Sequence, residues 1–308
     1  MQYEITYGKR RVPVYRVRAA PLTGVGTIPE SPFVGRGNEL IAAEIDVEVY
    51  GDDFLPAYTE GDNSMVVATD SMKNFIIRES LAYDGATLEG LCHFLGAGLA
   101  ATYPQRRSLR VSARELPFAP VPVRDGGGGW VSSNNLFAAE AGDHAWCSLR
   151  MERDADGSAT IVDHDCARRD MHLMKLAGSS FTAFVRDGYT TLPDRRDRPL
   201  FIYMDAHWRY IDPRDALGEN PAAYVAPEQI RDACQTVFAE FVSESIQHLL
   251  HEMGTCLLGR FPGLAEVRFA AQNRTRDPFG ERADGARVYS DPFPAFGHIT
   301  LAMRRGER

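Results

Sequence analysis

Hydrophobic and polar residues alternate strictly over residues 41–50, IAAEIDVEVY. Ile45, Val47 and Val49 fall on one face of an extended chain, and the acidic residues between them fall on the other. This period of two predicts an antiparallel strand with one face in the core and one in water. Similar patterns predict strands over residues 10–19 and 106–117. Residues 144–163 are predicted to form a hairpin about the DADG turn at 154–157.

Two blocks of sequence carry the periodicity of amphipathic helices instead. The first covers residues 70–103 and breaks near 84–85, whereas the second covers 227–261 and breaks at 243–245. Each block ends in an aromatic residue followed by proline, and a strand pattern comes next. The same ending therefore recurs about half a chain length later.

This recurrence predicts a duplicated unit of two strands, two helices and two strands. The boundary falls near residues 140–143, which gives a first unit at 1–141 and a second at 142–308. Paired helices on one face of an antiparallel sheet place the fold in the α+β class. Because such a sheet leaves its edges and one face uncovered, we expect a homo-oligomer.

Composition excludes several classes of protein. The chain of 308 residues has 34 basic and 42 acidic residues and a net charge of −8, whereas nucleic-acid binders carry a basic surplus. No apolar run approaches the ~18 residues of a membrane span. The five cysteines are scattered and form no Cys-x-x-Cys motif, so we expect free thiols. We also expect a cytoplasmic location, because the sequence shows neither an apolar signal core nor a peroxisomal Ser-Lys-Leu ending.

The segment from Met65 to Ser71 is the most suggestive local feature. The apolar run 65–68 predicts the end of a buried strand, and Thr69-Asp70-Ser71 are residue types that cap helix N-termini. A strand that leads directly into a capped helix places a hydroxyl, a carboxylate and unpaired backbone N–H groups at one point. Such a point can bind an anion, although most caps have no role beyond helix stability.

Other candidate residues each have an ordinary interpretation beside a functional one. Lys9 is solvated, or it acts as a base if it is buried beside a hydroxyl. Arg198 belongs to a run of paired surface charges, or it recognises a planar anion with its two-pronged guanidinium. Phe181 is a core residue or a stacking platform. Gln247, at a predicted helix start, is solvated or directs its amide at a ring edge.

Motifs for metals and cofactors give little support. Neither of the two loose clusters of potential ligands has a zinc-type spacing, so core or surface histidines are the better interpretation: His248, His251 and Glu252; His164, Cys166 and His172. Dinucleotide-binding, Walker and nucleophile-elbow motifs are absent from the sequence. The residues alone predict an oligomer that binds a small planar anion, and they leave the reaction open.

Seven blocks, in order, resemble the urate oxidases (uricases), and their bacterial branch in particular: YGK at 7–9, TGVGTIPESPF at 23–33, GDNSMVVATDSMKN at 61–74, FVRDGYTTLP at 184–193, DRPLF at 197–201, SIQHL at 245–249 and QNRT at 272–275. The resemblance implies two tandem tunnelling-fold (T-fold) units. It also implies a homotetramer that encloses a barrel-like tunnel, with active sites at subunit interfaces.

The reaction implied by the resemblance is the oxidation of urate by O2 and water to 5-hydroxyisourate and hydrogen peroxide, without metal or flavin, so that O2 is a co-substrate. Lys9 and Thr69 resemble the proton-relay pair of the family, and Asn273 resembles the asparagine that holds O2 and later water opposite Thr69. The Asn-x-His of other branches is here Asn273-Arg274-Thr275, so either Thr275 or His298 completes the relay.

The same resemblance assigns the urate contacts. Arg198 resembles the arginine that grips the O2/N3 edge of urate, and Gln247 resembles the glutamine that pairs with its N1/O6 edge. Phe181 resembles the aromatic residue that stacks on the ring, and Ile246 takes the place of a valine whose backbone helps to hold urate. Thr69 and Asp70 resemble the pair that meets the five-membered ring from a neighbouring subunit, largely through the Asp70 backbone N–H.

Two other functions remain open from the sequence. One is a catalytically silent purine-binding protein, against which the presence of Lys9, Thr69 and Asn273 argues. The other is a pterin- or purine-handling T-fold enzyme, a class that often needs a zinc site that the sequence does not assemble.

Overall fold

The computed structural model describes residues 2–105, 107–274, 276, 278–290 and 293–306. Its contacts define two compact units. The first comprises Met1–Gly26, Val34–Cys166 and Arg209–Val225, and the second comprises Thr27–Phe33, Ala167–Trp208 and Ala226–Arg308. None of the helices in the described part of the chain is long and apolar enough to cross a membrane.

The strands of the first unit form an antiparallel sheet and a separate hairpin. In chain order they are β1 (Thr6–Val17), β2 (Leu40–Tyr50), β3 (Ser108–Glu115), β4 (Phe118–Arg124), β5 (Trp130–Ala139), β6 (His144–Arg153) and the first half of β7 (Ala159–Lys175). The sheet order is β1-β2-β3-β6-β7, and β4 pairs with β5 alone. Strand β1 is antiparallel to β2, β2 to β3 and β3 to β6.

Three helices accompany this sheet: α1 (Leu55–Thr59), α2 (Thr69–Glu79) and α3 (Leu88–Thr102). The predicted alternation on β2 is confirmed, because Ile45 and Val47 are fully buried. Helix α2 packs on β1, and α3 packs on β3 and β6. Fully buried Ile76 of α2 and Leu95 of α3 contribute to the core of this unit.

The second unit contains the rest of β7 and the elements that follow it: β8 (Leu200–Tyr210), α4 (Pro227–Glu240), α5 (Ile246–Arg260), β9 (Leu264–Asn273), β10 (Pro278–Glu281), β11 (Arg287–Tyr289) and β12 (Gly297–Arg304). Its sheet order is β7-β8-β9-β12. Helix α5 packs on β9 and β12. A tight turn closed by the Leu264 N–H to Phe261 C=O bond reverses the chain after α5, so β9 runs back toward the start of that helix.

The prediction of two broken helical blocks is confirmed, because the breaks separate α2 from α3 and α4 from α5. The hairpin turn is also confirmed, with Asp154 N–H bonded to Ser158 C=O and Gly157 at φ 91°. Strand β7 continues well beyond residue 163, and the pattern did not predict α1 or the β4–β5 hairpin. The compact units divide the chain at positions other than 141/142. The predicted boundary between the two repeats therefore stays a prediction.

Candidate functional site

The segment that precedes α2 is a loop, so the prediction of a buried strand over residues 65–68 is wrong. Met65 is 39% exposed, whereas Val67 is buried. The Val67 N–H donates to Tyr7 Oη at 3.0 Å, and the Tyr7 ring meets Phe54 edge-on with centroids 4.8 Å apart. The loop is therefore anchored by the Tyr7 side chain of β1 and not by strand pairing. A short apolar run looks the same in the sequence whether it forms a strand or a buried loop.

Helix α2 begins one residue earlier than a cap at Thr69 requires. Its N-cap is Ala68, with φ −54° and ψ 135°, and Thr69 is the first helical residue. The predicted side-chain cap is therefore wrong, because the N-cap residue is Ala68, which makes no side-chain cap hydrogen bond. The first backbone bond of the helix joins Met72 N–H to Ala68 C=O, so the N–H groups of the preceding turn are available at the positive end of the helix.

The carboxylate of Asp70 is engaged by its own helix. Its oxygens accept hydrogen bonds from Lys73 Nζ at 2.5 Å and from Asn74 Nδ2 at 3.0 Å. The bond from Lys73 is the main reason that the pKa of Asp70 lies below its ordinary value, and the charge of Lys9 lowers it slightly further. Asp70 can thus offer its backbone N–H at the helix N-terminus while its side chain faces Lys73.

Lys9 is half-buried on β1, opposite Val47 of β2, immediately before a register shift between Lys9 and Val12. Gly8 allows the close approach of the two strands at this point, because a Cβ there would lie only 1.8 Å from Val47 O. Helix α2 packs on β1, and Val67, two residues before Thr69, bonds to Tyr7, two residues before Lys9, so Lys9 lies near the start of α2. The first unit therefore brings Lys9, Thr69 and Asp70 together.

In the second unit, a short backbone ladder joins Phe181 to Arg198. Phe181 N–H donates to Arg195 O at 2.7 Å, Arg195 N–H returns a bond of 3.0 Å to Phe181 O, and Arg198 N–H donates to Ser179 O at 2.8 Å. The Arg198 guanidinium carbon lies 5.4 Å from the Phe181 ring centroid. Phe184 stacks on Phe181 with centroids 4.9 Å apart and an interplanar angle of 10°. The aromatic and cationic candidates are thus neighbours on a supported segment.

The same segment is tied to the chain before α5. Ser180 N–H donates to Ser243 O at 2.8 Å, and Ser243 Oγ lies 3.4 Å from Ser179 Oγ. Ser179 and Ser243 are each only 1% exposed, so these bonds are shielded from water. The position of Arg198 is therefore coupled through Ser179 to the residues that lead into α5.

The start of α5 presents Gln247 as predicted. Ser245 is the N-cap, and its Oγ accepts a hydrogen bond from His248 N–H at 3.1 Å. Ile246 is the first helical residue and is 3% exposed, whereas Gln247 is exposed. A buried neighbour and a side-chain cap hold the backbone here, which leaves the amide of Gln247 directed outward from a rigid turn.

Asn273 is the last residue of β9, and Gly297 of β12 lies directly opposite. Because β9 runs back along α5, its end returns to the helix start that carries Ile246 and Gln247. The neighbouring Arg274 N–H donates to Phe201 O at 3.0 Å, near the beginning of β8 and only three residues after Arg198. The second unit therefore gathers its five candidates at one end of its sheet: Phe181, Arg198, Ile246, Gln247 and Asn273.

Of the two candidates for completing the proton relay, His298 and Thr275, the structure describes only His298. His298 is exposed and pairs with Gln272, while Asn273 pairs with Gly297. Opposed residues share a face and successive residues alternate, so His298 and Asn273 lie on opposite faces of the sheet. Thr275 lies outside the described residues. Both relay roles stay predictions, and the register does not bring His298 to Asn273.

Three histidines of the two loose clusters have defined contacts, two of them outside their own cluster. His164 Nε2 accepts the backbone N–H of Tyr210 at 2.8 Å, and burial lowers its pKa. His248 meets the edge of Phe241 with centroids 4.7 Å apart, and His251 Nδ1 lies 3.1 Å from Glu252. Among the residues that the structure describes, no group of three or more His, Cys, Asp or Glu side chains is arranged to hold a metal ion.

Sequence reasoning missed the residues that support the candidates. Tyr7 belongs to the YGK block, but its bond to Val67 spans 60 residues. Ser243 lies in the predicted helix break, and nothing in the sequence connects it with Ser179. Phe184 follows Phe181 by three residues, a spacing too common to indicate stacking. Only the break at 243–245 gave a local signal.

Comparison with known proteins gives consistent matches. A family model described as uricase matches residues 167–299. The chain is 47% identical to a uricase of Haloferax volcanii over 98% of this chain and 99% of the relative. It is 42% identical to a uricase of Halalkalicoccus jeotgali over the same shares of both chains. The crystal structure of urate oxidase from Bacillus sp. TB-90 has a TM-score of 0.95 at 39% identity, covering 98% of this chain and 100% of that one. This agreement confirms the predicted T-fold class.

Proposed function

Because this chain belongs to the uricase family, we propose that it oxidises urate with O2 and water to 5-hydroxyisourate and hydrogen peroxide. The observation that carries the proposal is the match with uricases along almost the whole chain, at both the sequence and the structural level. We call the candidates of each unit a half-site: Lys9, Thr69 and Asp70 in the first unit; Phe181, Arg198, Ile246, Gln247 and Asn273 in the second. Together the two half-sites supply the groups that the reaction needs.

Urate has to lose a proton before it reacts with O2, and we assign this step to Lys9 and Thr69. Lys9 lies on β1, the strand on which α2 packs, and its charge contributes to the lowered pKa of Asp70. Thr69 is the first residue of that helix, so its hydroxyl lies at the positive end of the helix dipole. A lysine and a hydroxyl in this setting can pass a proton from a bound anion. Asp70 contributes its backbone N–H, since its carboxylate is bonded to Lys73 and Asn74.

The second half-site has the donors and surfaces that hold a planar anion. Arg198 offers parallel N–H groups to one edge of urate. Gln247 offers both a donor and an acceptor to another edge, and the backbone of Ile246 lies beside it. Phe181 offers a ring face, and its own support comes from Phe184 at 4.9 Å. Fixing urate in this way lowers the entropic cost of its encounter with O2.

Asn273 is proposed to hold O2, and later water, over the urate ring. Ionised urate supplies the electrons, and O2 accepts them to give a hydroperoxide at carbon 5. Departure of hydrogen peroxide and addition of water then complete the reaction. The substrate thus provides the redox chemistry, so we propose that no metal or organic cofactor takes part, while the protein orients the reactants and moves protons.

We further propose a homotetramer in which the half-site of the first unit in one subunit completes that of the second unit in a neighbour. Large apolar side chains with high exposure support an assembly that covers them. They include Trp130 at 66%, Leu136 at 51%, Val185 at 92% and Tyr189 at 94% exposure. The free cysteines support a reducing compartment such as the cytoplasm.

The decisive experiment follows urate, O2 and hydrogen peroxide together in protein treated with a chelator. We expect one O2 consumed and one peroxide formed for each urate lost, at the same rate before and after chelation. Urate binding without O2 uptake would support the silent purine-binding alternative and would overturn the oxidase. Loss of activity on chelation, restored by a metal ion, would overturn the cofactor-independent mechanism.

A further inference from the structure

Arg274, the residue after Asn273, has its side chain held from several directions. Its Nε and Nη2 atoms donate to Gln272 Oε1 at 3.0 and 2.6 Å, and Nη1 lies 3.5 Å from Pro294 O. The guanidinium carbon lies 4.1 Å from the Phe296 ring centroid. A planar cation that stacks on an aromatic ring and directs two donors at one oxygen has little freedom to move.

We call the bonded pair Arg274 and Gln272 the clamp, and further contacts of Arg274 connect it to β8. Its guanidinium carbon lies 5.2 Å from the ring of Tyr203, which is itself stacked on His172 with centroids 3.8 Å apart. Its backbone N–H donates to Phe201 O at 3.0 Å. The residue thus connects the end of β9 to β8 by both its backbone and its side chain.

Asn273 lies between the two residues of this clamp. Gln272 is fixed on one side by its bonds to Arg274, and Arg274 is fixed on the other by β8. Because side chains alternate along a strand, Gln272 directs its side chain to one face and Asn273 to the other. Gly297, opposite Asn273, would place a Cβ 3.4 Å from Asn273 Cβ, so its lack of a side chain leaves space on the Asn273 face.

We propose that Arg274 is a positioning residue for the O2 site: it fixes the end of β9 so that the amide of Asn273 stays where O2 and water are held. The inference rests on the proposed function and adds a residue to it. The Arg274 side chain bonds to Gln272, on the face opposite Asn273, and therefore acts through the backbone. A displacement of about 1 Å at a reacting centre can cost about 100-fold in rate.

The test separates positioning of O2 from urate binding and from simple stability. We would measure kcat/KM for O2 with saturating urate, and the Kd of urate without O2, for Arg274→Ala, Arg274→Lys and Gln272→Ala. Arg282→Ala is the matched control, because Arg282 is an exposed arginine that pairs with Asp284 at 2.5 Å. Thermal melting of each variant shows that it is folded.

Both Arg274 variants should lower kcat/KM for O2 by roughly 10- to 100-fold and change the urate Kd by less than about 2-fold. Lysine should not restore the rate, since it lacks the planar fork. Gln272→Ala should show the same loss to a smaller degree, and it remains informative if Arg274→Ala fails to fold. Arg282→Ala should match the wild type.

A double-mutant cycle with Asn273→Ala completes the test. If Arg274 acts through Asn273, Arg274→Lys should have no further effect in the Asn273→Ala background. Additive losses, weaker urate binding, or full activity in Arg274→Lys would each overturn the inference. A wild-type protein that binds urate but consumes no O2 would instead overturn the proposed function, so the two failures are distinguishable.

Discussion

The carboxylate of Asp70 faces along its own helix, with Oδ1 2.5 Å from Lys73 Nζ. Its backbone N–H remains in the first turn of α2, where the helix dipole favours an anion. The acidic side chain that marked this position in the sequence is therefore bonded to Lys73. The side chain of Asp70 and its backbone N–H thus have separate surroundings, which the residue type alone does not reveal.

We predict that Asp70→Asn binds urate nearly as well as the wild type, because the substitution keeps the backbone N–H. The urate Kd, measured without O2, should change by less than about 3-fold, the scale of one modest surface interaction. The thermal midpoint should fall only slightly, since the ion pair with Lys73 is exposed. A loss of binding in a folded Asp70→Asn protein would show that the carboxylate itself contacts urate.

We predict that Lys9→Met and Thr69→Ala slow turnover far more than they weaken urate binding. Removal of a proton-transfer group costs roughly 100- to 10,000-fold in kcat, whereas neither residue is assigned to the urate edges. Steady-state rates and the anaerobic urate Kd give the two quantities.

Lys73→Met is the matched control for Lys9→Met, because it removes a nearby lysine whose bond is to the Asp70 carboxylate. It should retain most of the activity. If Lys73→Met and Lys9→Met slow the enzyme equally, the effect of Lys9 is general electrostatics and not proton transfer.

The sequence predicted the elements that depend on local periodicity. The strict alternation of Ile45, Val47 and Val49 predicted β2, and the broken apolar stripes predicted the helix pairs. The loop before α2 was mistaken for a strand because Val67 is buried against Tyr7, a contact between residues 60 positions apart. Thr69 is a cap by residue type, yet Ala68 occupies the cap position.

The candidate residues were proposed from the family resemblance, and the contacts that support them could not be predicted from the sequence. Residue types at Arg198 and Gln247 suggested recognition of a planar anion, but each has an ordinary interpretation when taken alone. The bonds that position them pass through Ser179 and Ser243, which meet only after the chain folds. Pairings of this kind leave no periodic signal in the sequence.

We predict that Arg198→Ala weakens urate binding severely, by roughly 10- to 100-fold, as expected for hydrogen bonds to a charged group. Arg198→Lys should recover little of this loss, because a lysine cannot reproduce the bidentate geometry. The anaerobic urate Kd is the measurement, and Arg196→Ala, at an exposed position two residues away, is the control. Normal urate binding by Arg198→Ala would remove Arg198 from the proposed cradle.

Finally, we predict that His164 makes the fold less stable in mild acid. Its Nε2 accepts the Tyr210 N–H at 2.8 Å, which requires the neutral ring. Burial is the main cause of its lowered pKa, and the charge of Arg209 lowers it further against the opposing charges of Asp163 and Asp165. The unfolded chain therefore takes up this proton at higher pH than the folded protein does.

The contribution of His164 is fully present above its ordinary pKa of about 6.5 and decreases as the pH falls from there toward the lowered pKa of the folded state. Each pKa unit between the two states is worth about 1.4 kcal/mol. Urea unfolding at about pH 7.5 and about pH 5.5 measures the change, and His164→Gln should reduce it. His251→Gln, at a 58% exposed side chain, is the control and should retain the wild-type dependence. If His164→Gln retains it as well, His164 binds its proton equally in the folded and unfolded states.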